Sequence, residues 1–97
     1  MADIEVHDND AAARYEITVD GRLGGYVQYE DRGEQRVFVH TEVDDAFEGQ
    51  GLGSQLAVGA LDDARAQGKR VVPRCPFIKK FIGRHPEYED LVDAPEV

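Results

Sequence analysis

The chain has 97 residues, a formal net charge of −9 and 41% hydrophobic side chains. That bounds it to one domain with a modest core, since chains divide at roughly 100–200 residues per domain. A second catalytic domain does not fit, so any small-molecule site must be open at the surface or completed by another chain.

The start MADIEVHDND has no apolar run behind a basic flank and does not read as a signal peptide. Nothing approaches the roughly 18 uninterrupted apolar residues of a membrane span. One cysteine permits no internal disulfide, and the expected location is the cytoplasm. Charge is uneven: residues 1–63 carry fifteen acids and four bases, residues 64–86 seven bases and no acid, and the last eleven residues five acids and no base. The overall sign argues against nucleic acid as a partner, because phosphates would meet mostly carboxylates. The basic segment could still hold a small polyanion locally.

In chain order, IEV near the start suggests a short edge strand. RYEITV alternates, with Tyr15, Ile17 and Val19 on one face. DGRLGG is a turn, after which GYVQYE resumes with Tyr26 and Val27 as candidates for the inward face. DRG turns again, and EQRVFVHTEV is the longest β-branched run. Three strands joined by tight turns read as an antiparallel meander. After Phe47 the period changes: Leu52, Leu56, Ala57, Ala60, Leu61 and Ala64 recur at helical spacing, an amphipathic helix of about four turns that Gly68 closes. KRVVP is a short strand. Pro76 fits the first position of a helix PFIKKFIGR, expected to turn Phe77, Ile78, Phe81 and Ile82 to the sheet, and HPEYEDLV adds a further helical turn. The strand–helix–strand portion, residues 36 to 73, should set the strand at 69–73 parallel to that at 35–43. The fold class is α+β, with a meander followed by glycine loop, helix, parallel strand and helix, in one domain over 1–97 with its core at about 14–92.

EGQGLGSQL stands where a strand gives way to a helix. Gly49, Gly51 and Gly53 free the backbone to turn and leave amides uncovered, and the helix adds the positive end of its dipole, a setting for phosphate oxygens. A P-loop would need Lys before Ser54, and a Rossmann fingerprint a third glycine at Ser54 in a chain that opens with βα units. A tight strand-to-helix connection with no ligand is the plain alternative.

Glu48-Gly49-Gln50-Gly51-Leu52-Gly53, with HTEV before it and PRCPFIKKFIGRHPEYEDLV after it, resembles the GNAT superfamily of acyl-coenzyme-A-dependent N-acyltransferases. It is most similar to the small single-domain members, over roughly residues 14–92. The resemblance implies a minimal acyltransferase core that binds acetyl-CoA and transfers its acetyl group to an amine. Pantetheine would pair with backbone at Val43, and the pyrophosphate would sit on amides of Gly49, Gln50, Gly51, Leu52, Gly53 and Ser54. Two positions depart from the family. Glu48 stands where Arg or Gln is usual, a departure for which Lys79 or Lys80 would compensate. Ile82 falls where many members carry a Tyr that protonates the CoA thiolate, with Tyr88 the nearest substitute.

Three residues are candidates for the chemistry. With Pro76 at the first helical position, Cys75 becomes an N-cap whose sulfur would face free amides, conditions that favour a thiolate; it would carry the acyl group or only shape its pocket. The alternative is an inert buried thiol. By two-residue alternation His40 and Glu42 share a face with Phe38, and either would serve as the base for an incoming ammonium. His7 and His85 read as structural, and the three histidines and one cysteine have no zinc spacing, so no metal is expected. The expected partners are acetyl-CoA and a cationic amine, a polyamine or a protein lysine, with no nucleic acid or membrane. A homodimer would cover apolar surface that so small a core leaves exposed. The competing reading is a non-catalytic CoA-binding or protein-interaction module that keeps the same core.

Overall fold

In the computed structural model, which describes residues 3–47 and 49–93, five strands form one sheet in the order β1-β2-β3-β4-β5. They are β1 (Ile4–Asn9), β2 (Arg14–Val19), β3 (Arg22–Arg32), β4 (Gln35–Val43) and β5 (Arg70–Pro73). The first four are antiparallel and β5 runs parallel to β4, as the crossover requires. Helix α1 (Leu52–Ala66) makes that crossover, and α2 (Pro76–Arg84) and a 3₁₀ segment at Pro86–Leu91 follow β5. Among the described residues no helix is long and apolar enough to cross a membrane.

The meander and the helix form for the reasons read from the chain. Asp20 and Gly21 both have positive φ (52° and 82°), the backbone that a two-residue hairpin loop demands. Gly68 takes φ +71° just beyond α1. All six apolar positions of the α1 stripe are buried, against Tyr15, Ile17 and Val27 of the sheet. The edge strand is longer than IEV, and β3 continues through Asp31 and Arg32, so the turn falls at Gly33.

Three expectations about facing are corrected. Of the two candidates in β3, Val27 is inward, while Tyr26 lies opposite Glu42 on the other face with the Arg14 guanidinium 4.6 Å over its ring. Phe77 is exposed: it sits about 100° around α2 from the buried stripe of Ile78, Phe81 and Ile82, and its ring rests over Gly53 of α1. His40 and Glu42 do not share a face with Phe38. Gln28 pairs with His40 and Tyr29 with Phe38, so Val39 is an extra residue in β4, a bulge. Phe38 therefore joins the core beside Tyr29, whereas His40 and Glu42 point to the opposite, exposed face.

Arg36 is the one buried charge among the described residues. Its guanidinium donates twice to Asp31 (2.8 and 2.9 Å) and once to the Tyr15 hydroxyl, and lies 4.3 Å over the Tyr29 ring. Tyr15 donates on to Asp63 of α1 and Tyr29 to Asp8 of β1, each at 2.6 Å. One cation thus ties β1, β2, β3, β4 and α1 together. Burial and the hydrogen bonds to these carboxylates push both phenols well above the usual tyrosine range, and the Arg36 hydrogen bonds hold Asp31 below the usual carboxylate range.

Replacing Arg36 with Met should cost about 3 kcal/mol in chemical denaturation, the low end for a broken buried pair, because Asp31 and Asp63 keep access to water. Asp31, with its folded-state value depressed, stabilises the fold above the unfolded carboxylate value near 4. That contribution should fade as pH falls below about 4 and should be missing from an Asp31→Asn variant in an acid titration. Gly25→Ala should cost about 2 kcal/mol, since a Cβ there would stand 2.6 Å from the Glu42 carbonyl oxygen of the neighbouring strand.

Candidate functional site

Strands β4 and β5 pair over only four residues, 35–38 against 70–73, and then part. The bulge at Val39 breaks the phase of β4. Pro73 turns its nitrogen away from β4, since the N–H groups of Arg70 and Arg74 are the ones that donate to that strand's side. The last carbonyl of the pair, that of Phe38, accepts from both Arg74 N–H (3.0 Å) and Cys75 N–H (2.9 Å), which turns the chain away into α2. Beyond this point the β5 side of β4 is unpaired among the described residues. Asp44 N–H donates to Gly24 O, so by ladder alternation Thr41 and Val43 direct their N–H and C=O groups to that open side. The backbone at Val43 and its neighbours was expected there, and alternation from Val43 puts Thr41 on the same side.

The glycine loop follows β4 in the chain and meets α2 where Gly53 packs under Phe77. Gly49 and Gly51 have positive φ (84° and 74°), and Gly51 caps α1 with no side chain over the helix end. Gly49, Gln50, Gly51 and Ser54 are exposed, Gly53 is half-buried beneath Phe77, and Leu52 is buried in the core, so Leu52 offers its backbone alone. Glu48 lies outside the described residues. Beside the first turn of α1, Ser54, Phe77, Lys80, Phe81, Arg84 and His85 line a hollow of about 150 Å³. His85 is held in it by donating its Nδ1–H to the Phe81 carbonyl (2.8 Å) and by stacking on the Phe81 ring at 3.9 Å.

Arg74, Lys79, Lys80 and Arg84 are all exposed, and none has a carboxylate partner among the described residues. Arg84, one helical turn beyond Lys80, belongs to the same basic segment, 64–86, that was expected to compensate for Glu48, whereas Phe77 was expected in the core and lines the hollow instead.

Cys75 is the N-cap of α2, as its place before Pro76 predicts, but its side chain makes no cap hydrogen bond. The sulfur turns inward, is 3% exposed, and lies 3.1 Å from Thr41 Oγ1. The hydroxyl of an inward-facing β4 residue gives it a partner nearer the core than the helix amides. Cys75 and Thr41 thus close the core side at the base of the open edge. His40 and Glu42 are on the reverse face, 3.2 Å apart and both exposed. Beyond them Leu23, Gly24, Gly25, Tyr26, Glu42 and Asp44 line a second hollow of about 140 Å³. The two sides of β4 therefore differ, one with a buried thiol and hydroxyl, the other with carboxylates.

Ile82 is buried in the core. The Tyr88 hydroxyl, expected as a substitute acid, donates to Asp62 of α1 at 2.9 Å; burial first, and that bond second, push it up to about 12.

Comparisons with known proteins agree with this architecture. The chain is 40% identical to Protein NATD1 of Bos taurus over 47 residues, 48% of this chain and 42% of that one. It is 36% identical to Protein NATD1 of Xenopus tropicalis over 59 residues, 60% and 54% of the two chains. It spans about half the length of these relatives. Its fold is similar to the solution NMR structure of a GCN5-like protein from Staphylococcus aureus, with a TM-score of 0.72 at 21% identity over 99% of this chain and 94% of that one. The sequence profile of GCN5-related N-acetyl-transferases matches residues 14–91, and the chain belongs to that family.

Proposed function

We propose that the chain binds acetyl-CoA along the open edge of β4 and transfers the acetyl group to a primary amine. The observation that carries this reading is the parting of β4 and β5 beside a glycine loop whose helix packs at Gly53 against Phe77, two residues after Cys75. An extended pantetheine could pair with Thr41 and Val43 as a strand would, and the pyrophosphate could accept from amides of residues 49–54. Lys80 and Arg84, which line the hollow beside Ser54, supply the positive charge that a 3′-phosphate and pyrophosphate would meet. Lys79, by contrast, lies about 140° around α2 from Arg84.

In the reaction the amine nitrogen attacks the thioester carbonyl carbon, the C–N bond forms, and the C–S bond breaks as the CoA thiolate leaves. One proton passes from the ammonium to Glu42 or His40, directly or through water, before attack. The second nitrogen proton passes through water to the departing thiolate, giving the thiol. These two side chains and Asp44, around a hollow with Tyr26, suit a cationic acceptor such as a polyamine or a lysine side chain. Burial of Cys75 and its contact with Thr41 support the pocket-shaping role over acyl carriage.

A second reading, a CoA-binding or interaction module without efficient chemistry, is favoured by one observation: the Tyr88 hydroxyl is engaged by Asp62, and Ile82 offers no acid. Acetyl-CoA binding without transfer to a broad amine panel would support it.

Titration calorimetry should detect acetyl-CoA binding that weakens with salt. A Lys80→Glu/Arg84→Glu double variant should bind at least ~10-fold more weakly with an unchanged melting temperature, as both side chains are exposed and unpaired. Absence of binding by the unaltered chain would end the CoA reading altogether. Cys75→Ala should keep transfer within about threefold, a difference under 1 kcal/mol, and mass spectrometry should find no acyl group on Cys75 in the unaltered protein. A loss of transfer on the order of 1,000-fold, with an acyl adduct on Cys75, would establish the covalent route instead.

A further inference from the structure

The two edges of the sheet are finished differently. Outside β5, Val92 bridges Val71, Asp93 N–H donates to the Val71 carbonyl at 2.8 Å, and the Arg70 guanidinium donates to the carbonyls of Asp90 and Val92. That edge is closed. Among the described residues β1 pairs with β2 alone, so a six-residue strand keeps an unpaired row of backbone donors and acceptors.

Which groups point outward follows from one bond. Asp20 N–H donates to the Asp3 carbonyl at 2.8 Å, making that a hydrogen-bonded pair in a ladder that continues Ile4 against Val19. Alternation then commits residues 5, 7 and 9 to β2 and turns the N–H and C=O of Ile4, Val6 and Asp8 to the free edge. The side chains of Ile4 and Val6 are only half-buried. With Val58, which is 38% exposed, and Gly59 they line one side of a groove of about 370 Å³ that runs over α1. Gly59 brings α1 directly onto β1, since a Cβ there would be 2.6 Å from Val6.

We propose that this edge pairs antiparallel with the same edge of a second copy of the chain, so that two five-stranded sheets become one and the Ile4–Val6–Val58 surface is covered. Opposite residues must lie on the same face, which leaves three central registers. Ile4 against Val6 would set Glu5 against Glu5, a like-charge pair. Val6 against Asp8 would set His7 against His7 and a carboxylate in the middle of the apolar row. Val6 against Val6 sets Glu5 against His7 twice on the exposed face and keeps Val6 at the centre of the apolar row; Ile4 then meets Asp8 only at the two ends, where Asp8 keeps its bond to Tyr29. Charge selects the last register. Edge pairing alone is small beside the roughly 1,200 Å² of a stable interface, so the apolar groove must contribute. The net charge of −9 on each copy opposes the approach, and salt should strengthen it.

Sedimentation up to about 500 μM should show a monomer–dimer equilibrium that shifts toward dimer between about 0.15 and 0.5 M salt. Val6→Pro, which removes one outward N–H and leaves the β2 ladder intact, should raise the dissociation constant at least ~10-fold. A second measurement holds even if that variant folds poorly. In the proposed register residues 5 and 7 form a non-hydrogen-bonded pair, with Cα atoms about 4.5 Å apart, within disulfide reach. Glu5→Cys and His7→Cys copies, mixed and oxidised, should therefore crosslink to each other faster than either does alone; the native Cys75 is buried and does not compete. A monomer at both salts, a folded Val6→Pro variant that dimerises unchanged, or no preference in the mixed crosslinking would each overturn the proposal.

Discussion

The carbonyl of Phe38 ends the only parallel strand pair in the molecule as described, and the geometry of the candidate site depends on it. By accepting from two successive amides, those of Arg74 and Cys75, it turns the chain out of β5 and leaves β4 to run on alone. Two local causes converge there. Val39 adds a residue to β4, and Pro76 starts a helix immediately after the turn. A strand edge that opens in this way would normally be an aggregation hazard. Here its length is limited to Val39–Val43, so the opening is short enough to be filled by one extended ligand.

Much of this was legible in the residues, and what was not has a physical reason. The switch from two-residue to helical spacing after Phe47, the hairpin signal Asp20-Gly21 and the closing Gly68 each carry their own conformational requirement. Element order and the parallel crossover followed from them. The bulge at Val39 has no such mark, because Val is as suited to a regular strand as to a bulged one. One extra residue reverses every face after it, so His40 and Glu42 were paired with Phe38 instead of against it. For Cys75 the backbone position was legible from Pro76, but the direction of its side chain depends on Thr41, thirty-four positions earlier in the chain.

Arg36 also lay beyond local reading. A charged residue inside a β-branched run looks like an exposed strand position until Tyr15, Tyr29, Asp8, Asp31 and Asp63 are brought round it by four other elements. Desolvation of a lone guanidinium would be prohibitive, and the arrangement offsets it with two aromatic faces and three carboxylates. It also explains a share of the acidic composition without any reference to solubility. Several carboxylates are structural partners: Asp31 and Asp63 at Arg36, Asp90 at Arg65, and Glu16 at Arg14.

With those cations matched, the remaining charges sort by surface. Among the described residues Lys80 and Arg84 have no carboxylate partner and lie beside the first turn of α1, while Glu42 and Asp44 are exposed on the reverse face of β4. In the proposed reaction the donor is a polyanion and the acceptor a cation, and each would meet a surface of opposite sign on its own side of one strand. That division does not follow from the net charge, which would repel the donor as a whole. It follows from the bulge, which sends alternate β4 side chains to the face opposite the one expected. The same irregularity that hid the site from a reading of the sequence is what separates its two charge environments.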